Sequence, residues 1–177
     1  MRLAAWALTA AALAGCATAP PGAVPAASSD TLAGRMTVQV EATPTTQPRS
    51  VTATFDLQGT PQQGRLDMST PLGTVLAQAR WAPGRVALVT SQGETRFASL
   101  DELTREVLGE SVPVAALFDW LRGRPWPGAP STSSAAGEPG FQQLGWAVSL
   151  ARFDEGWISA RRDMAPKVTV RAKLDRP

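Results

Sequence analysis

The residues able to carry covalent chemistry are few. There is no histidine, which removes the most common general base, the imidazole relay of serine hydrolases and the most frequent zinc ligand. The one cysteine, Cys16, follows an apolar run from Leu3 to Leu13 that is broken only by Thr9. An unpaired thiol is unusual in an oxidising compartment, where cysteines pair, so Cys16 calls for a use other than a disulfide. Asp101, Glu102 and Glu106 fall close together. Their spacing suits a solvated helix face with acidic residues near the helix start, where they complement the macrodipole. No run of acids resembles a calcium loop. This inventory disfavours an enzyme and implies no cofactor and no metal. The 17 basic and 15 acidic residues leave a formal charge of +2. The basic residues are scattered apart from Arg161-Arg162, which gives neither the stripe expected of a nucleic-acid binder nor a polybasic membrane patch.

The elements that position Cys16 come first along the chain. Arg2 and the 11 residues from Leu3 to Leu13 make a charged start and a short apolar stretch. A bilayer-spanning helix needs roughly 20 apolar residues, so this is a secretory signal and not a span. Leu13-Ala14-Gly15-Cys16 resembles the bacterial lipobox. That resemblance implies cleavage before Cys16, an S-diacylglycerol on its sulfur and an N-palmitoyl group on the freed amine. The alternative is an ordinary secretory signal with an incidental cysteine. Two or more acyl chains make a stable anchor where one does not. Ala17 stands where an aspartate would favour inner-membrane retention, which resembles an outer-membrane address. Residues 16–30 are Ala, Pro, Ser, Thr and Gly apart from Cys16, Val24 and Asp30. Such a composition buries too little apolar surface to fold and reads as a tether. The expected division is a signal peptide at 1–15, a tether at 16–30 and one domain at 31–177.

Within the domain, apolar and polar residues alternate. Met36, Val38 and Val40 do so in residues 35–41, and Val51, Ala53, Phe55 and Leu57 in residues 50–58. Leu66 and Met68 follow, then Val75, Ala77, Ala79 and Trp81, then Val86 and Leu88, and finally Val168, Val170, Ala172 and Leu174. Period two means strands with one wet face, and the short turns between them predict an antiparallel meander. The period breaks in the middle. Ser99-Leu100-Asp101-Glu102 matches a capping box. Leu100, Leu103, Val107 and Leu108 then fall at helical spacing up to Gly109. Pro113 can open a second helix, with Val114, Leu117, Phe118 and Leu121 on its apolar face. Residues 123–140 read as a surface loop, and strands resume over 141–151. The predicted fold is mainly β: a curved antiparallel sheet with a two-helix insertion packed on its inner face. Residues 70–73 form a turn between two alternating strands. Leu72 therefore lies near a tip, where it either projects or folds back, single exposed leucines being common.

Six segments together resemble the outer-membrane lipoprotein receptor family, LolB. They are Gly34-Arg35-Met36, Pro71-Leu72-Gly73, Leu108-Gly109, Val112-Pro113, Trp120-Leu121-Arg122-Gly123-Arg124-Pro125 and Phe141-Gln142-Gln143-Leu144-Gly145-Trp146. The resemblance implies an open half β-barrel covered by helices, anchored in the outer membrane and facing the periplasm. It implies receipt of client lipoproteins from a periplasmic LolA-like carrier, shelter for their acyl chains in an apolar cavity, and insertion into outer-membrane lipid. It also implies that Leu72 is the exposed residue of a membrane-delivery loop. The chain departs from the family in ending Leu174-Asp175-Arg176-Pro177, where a tryptophan usually stands close to the C-terminus.

Candidates for the cavity lining are Met36, Val38, Phe55, Leu66, Met68, Trp81, Leu117, Phe118, Trp120 and Trp146; each suits a packed core equally well. The protein is expected to be a monomer that binds no nucleic acid. The competing reading is a structural or assembly lipoprotein of the envelope that binds protein partners and has no lipid cavity.

Overall fold

The computed structural model describes residues 31–44, 47–135 and 137–175. The signal segment, Cys16 and the tether lie outside the described residues. Six strands form a first meander: β1 (Leu32–Val40), β2 (Arg49–Gly59), β3 (Gly64–Ser69), β4 (Val75–Ala82), β5 (Arg85–Thr90) and β6 (Gly93–Phe97). Two helices follow, α1 (Leu100–Leu108) and α2 (Val114–Trp120). A second meander completes the chain: β7 (Ser131–Ser133), β8 (Gly140–Gln143), β9 (Trp146–Ser149), β10 (Trp157–Arg162) and β11 (Val168–Leu174). The sheet order is β6-β5-β4-β3-β2-β1-β11-β10-β9-β8-β7. The first and last strands are thus neighbours at its centre, paired from Gly34↔Leu174 to Val40↔Val168. The sheet ends in two edges, β6 and β7, so the barrel is open. No helix among the described residues is long and apolar enough to cross a membrane.

The alternation read from the sequence sorts the sheet into two faces. Phe55, Leu57, Ala77, Ala79, Trp81, Val168, Val170 and Ala172 are buried on the inner face, whereas Arg35, Thr52, Asp56 and Arg171 are exposed on the other. Gly34 is needed for space. A Cβ there would lie 2.1 Å from the Lys173 carbonyl oxygen, so a side chain would push β11 away from β1.

The first helix starts as expected. The Ser99 hydroxyl accepts from the Glu102 amide at 3.1 Å, and the Glu102 carboxylate accepts from the Ala98 amide at 2.6 Å. At its other end the Arg49 guanidinium donates to the Val107 carbonyl at 3.0 Å, a cation at the negative end of the helix. α1 lies against β2, β5 and β6. In α2, Val114, Ala116, Leu117, Phe118, Asp119 and Trp120 are all buried. Pro113 precedes this helix as its cap, with ψ 78°, and does not form its first turn.

Three strands escape the alternation argument. β6 is polar and exposed over most of its length, and β10 buries only Ile158 and Ala160 on its inner side. β7 lies within the stretch 123–140 expected to be a loop, and all three of its residues are exposed. Backbone pairing alone places it beside β8. A short polar edge strand of this kind discourages pairing with other chains.

The same stretch is also tied down from within. The Gln143 Oε1 accepts from the Trp120 indole at 2.7 Å and from the Trp126 amide at 2.9 Å. Its Nε2 donates to the carbonyls of Trp126 at 2.7 Å and Ala129 at 2.8 Å. One buried amide thus spends its donors and acceptors on joining α2, β8 and the Pro/Gly-rich segment. Each buried group left without a partner costs about 1–3 kcal/mol. Gln143→Leu is therefore expected to lower the unfolding free energy by at least about 3 kcal/mol in denaturant titration. A loss below about 1 kcal/mol would show that the segment is held by other means.

Candidate functional site

The turn between β3 and β4 is rigid at its base and apolar at its tip. The Thr70 amide donates to the Thr74 carbonyl at 2.8 Å, and the Gly73 amide to the Thr70 carbonyl at 2.9 Å. The Thr70 hydroxyl accepts from the Thr74 amide at 3.2 Å. Below them, the Thr54 hydroxyl bonds the Ser69 hydroxyl at 2.7 Å and the Ser69 carbonyl at 3.0 Å. Gly73 closes the turn with φ 86°, a conformation open to glycine at no steric cost.

The side chain held out by this frame is Leu72, which is 95% exposed and does not fold back. Val75 is 68% and Leu76 43% exposed beside it. Alternation had grouped Val75 with the inner-facing Ala77, Ala79 and Trp81. A register shift after Met68 pairs Ser69 with Val75 and Met68 with Ala77. This irregularity leaves Leu76 as the extra residue, and both apolar side chains remain outside the packed face. Leaving a leucine in water forgoes about 1.5–3 kcal/mol of burial free energy, so the tip is not explained by stability.

Seven of the ten lining candidates lie on the inner face of the sheet and three, Leu117, Phe118 and Trp120, on α2, and burial sorts them into two groups. Phe55, Trp81, Leu117, Phe118, Trp120 and Trp146 are buried. Phe118 meets the Trp81 ring edge-on at 5.7 Å, and Trp120 packs against Phe141 at 6.4 Å and Trp146 at 6.0 Å. The Arg162 guanidinium lies 5.7 Å from the Trp146 ring and pairs with Glu110, in the α1–α2 junction, at 2.7 Å. These side chains fill the space between helices and sheet.

Met36, Val38, Leu66 and Met68 are different, being only partly buried against that core. Val51, the cross-strand partner of Val38, and Leu32 join them. Together they form an apolar strip on the inner side of β1, β2 and β3. The residues opposite it are small, leaving space beside the larger side chains: Ala53 opposite Met36, Ala77 opposite Met68 and Ala79 opposite Leu66.

The outer face carries a separate hollow of about 640 Å³, lined by Arg35, Arg171, Lys173 and Trp157 among others. The Trp157 ring lies 5.5 Å from the Arg152 guanidinium and 5.7 Å from the Lys173 ammonium. Arg152 in turn binds Glu155, and the hydrogen bond between them is the main reason the Glu155 carboxyl is held below its ordinary range. This hollow is cationic, so it lacks the properties of the predicted lining.

An unclosed antiparallel sheet with two helices packed on its inner face defines the protein as an open half-barrel domain. Residues 31–175 match the model of the family described as outer membrane lipoprotein LolB. The outer-membrane lipoprotein LolB of Bordetella petrii is 33% identical over 93% of this chain and 87% of its own length. That of Cupriavidus metallidurans is 32% identical over 71% of this chain and 61% of its own length. That of Bordetella pertussis is 33% identical over 63% of this chain and 61% of its own length. The chain belongs to the LolB family.

A tip that makes no packing contact can be changed without unfolding the domain. Leu72→Ser is expected to shift the unfolding free energy by no more than about 0.5 kcal/mol in thermal or denaturant melts. A loss above about 1.5 kcal/mol would mean that Leu72 spends much of its time packed on the domain.

Proposed function

We propose that the protein is anchored in the outer membrane through an acylated Cys16, faces the periplasm, and passes client lipoproteins from a LolA-like periplasmic carrier into outer-membrane lipid. The acyl chains of the client rest on the strip of Met36, Val38, Val51, Leu66 and Met68. Each methylene removed from water there contributes about 0.8 kcal/mol, which is what keeps several chains from aggregating during transfer. Met36 and Met68 suit a guest of variable shape, since methionine is unbranched and polarisable and repacks readily. No energy source is required if affinity rises from carrier to receptor to bilayer. The protein acts as a monomer and uses no cofactor.

The observation that carries this reading is the exposed Leu72 on a frame of five hydrogen-bonded residues, Thr54, Ser69, Thr70, Gly73 and Thr74. An apolar side chain held away from its own core has its natural partner in lipid. Leu72→Glu is therefore expected to accept client lipoprotein from the carrier at the wild-type rate and to slow its insertion into vesicles by at least about tenfold. A carboxylate at the apolar boundary raises the barrier by more than the roughly 1.4 kcal/mol that a tenfold change requires. Unchanged insertion would remove Leu72 from the mechanism.

The filled space around Phe118 and Trp120 favours a second reading, an envelope assembly lipoprotein that binds protein partners and holds no acyl chain. Depletion of the protein separates the two. Client lipoproteins accumulate away from the outer membrane if it is the receptor, and reach it normally if it is only an assembly factor.

A further inference from the structure

Six large apolar side chains are notably exposed among the described residues: Leu72, Val75, Leu76, Leu144, Trp157 and Met164. Trp157 lies on the outer face beneath Arg152 and Lys173. The other five lie on or beside turns that leave their strands in the same direction, as strand register demonstrates. β3 runs parallel to β1, because both are antiparallel to β2. The turn carrying Leu72 therefore leaves β3 toward the Val40 end of β1, starting from the Arg35 row, because Ser69 pairs with Thr54 and Thr54 with Arg35. Val40 pairs with Val168, and Val168 with Arg162. The β10–β11 turn carrying Met164 starts just past that row. Arg161 pairs with Ala147 and Ala147 with Gln142, so the β8–β9 turn carrying Leu144 projects past the same row. At the opposite end, the turns at 60–63 and 83–84 are Thr-Pro-Gln-Gln and Pro-Gly, and the β9–β10 connection spans 150–156. None of their residues is among the exposed large apolar side chains.

Leu144 is anomalous twice. It is 45% exposed, and it has φ 54° beside Gly145 at φ 77° in a two-residue turn closed by Gln143 and Trp146. Turns with both central φ values positive favour Asn-Gly or Asp-Gly. Leucine is disfavoured there by its Cβ and gains no burial in return. Met164 is 71% exposed in a turn that has no packing use for a long apolar side chain.

We infer that Leu144 and Met164 act with Leu72 as a three-point apolar rim that seats this end of the half-barrel on the lipid bilayer. The inference rests on the proposed delivery function of Leu72 and extends it from one residue to a surface. Strands lie about 4.8 Å apart, so the β10–β11 and β8–β9 turns stand about 20 and 30 Å along the sheet from the Leu72 turn. The rim therefore fixes the tilt of the domain, which one leucine cannot do. The described chain begins at the other end of β1, and β1 with its nine residues is about 30 Å long. The 15 residue steps from Cys16 to Thr31 reach about 50 Å when extended, enough for a lipid-anchored domain to turn its rim to the membrane.

The test uses the mature, acylated protein, in which Cys16 is blocked and an introduced cysteine is the only free thiol. Leu72→Cys, Leu144→Cys, Met164→Cys and, at the opposite end, Gln62→Cys each carry an environment-sensitive dye. The proteins are reconstituted into vesicles of phosphatidylethanolamine and phosphatidylglycerol. Positions 72, 144 and 164 are expected to be quenched by lipid-borne nitroxide and shielded from iodide, and position 62 the reverse. Quenching at 72 alone would overturn the rim and leave the delivery loop standing. Four water-exposed dyes would overturn both. Leu144→Asn separates membrane contact from folding, because asparagine suits the turn. It is expected to raise the melting temperature while weakening the nitroxide contact of a dye at 164. A higher melting temperature with unaltered contact at 164 would reduce Leu144 to a turn residue.

Discussion

One mismatch of size governs this protein: its sheet has more apolar face than its helices can cover. Eleven strands at about 4.8 Å each make an arc of about 50 Å. The helices that lie on it have nine and seven residues, or about 13 and 10 Å of length. They seal the aromatic region around Trp81, Phe118, Trp120 and Trp146 and leave the inner side of β1, β2 and β3 half covered. Because the sheet does not close, no strand arrives to hide what remains. An apolar strip open at one side follows from the lengths of the elements.

The centre of the sheet makes that geometry stable. The β1–β11 ladder joins two meanders that would otherwise be separate, and Gly34 allows the close approach. On one side of this seam the strand ends are clamped by polar side chains, Thr54 with Ser69 and Arg49 with α1. On the other, Gln143 secures the long connection between α2 and β8. Hydrogen bonds that hold strand ends still let turn tips carry side chains chosen for something other than packing. The division between rigid stems and apolar tips is the structural basis of the delivery reading.

Much of this was legible in the sequence. Strong period-two runs in β1, β2, β4 and β11 and the Ser99–Glu102 cap were read in place, and the open half-barrel with its helical insertion follows from them together with the family resemblance. β6, β7 and β10 were not, because their pairing is made by backbone and their side chains are polar or small. The ten lining candidates show a sharper limit. Periodicity says which face a residue is on, but whether Phe55 is sealed and Met68 left half open depends on where two helices lie, which is a tertiary fact. Val75 was misplaced for a related reason, since a register shift at Met68 cannot be seen in alternation. Leu144 did carry a local signal: a leucine before glycine, between two strands, where asparagine or aspartate is usual.

The central claim is that the inner strip of β1–β3 accepts a hydrocarbon chain. Methionine methyl resonances test it directly, because the chain has four methionines and the two in the strip, Met36 and Met68, are accompanied after signal removal only by Met164 on a distant turn. The measurement is a titration of methyl-labelled protein with a diacylated lipopeptide bearing a nitroxide on its acyl chain, without a bilayer. The Met36 and Met68 methyls should broaden together while Met164 stays sharp. Broadening of Met164 alone, or of no methionine at lipopeptide concentrations that saturate the protein, would contradict the account.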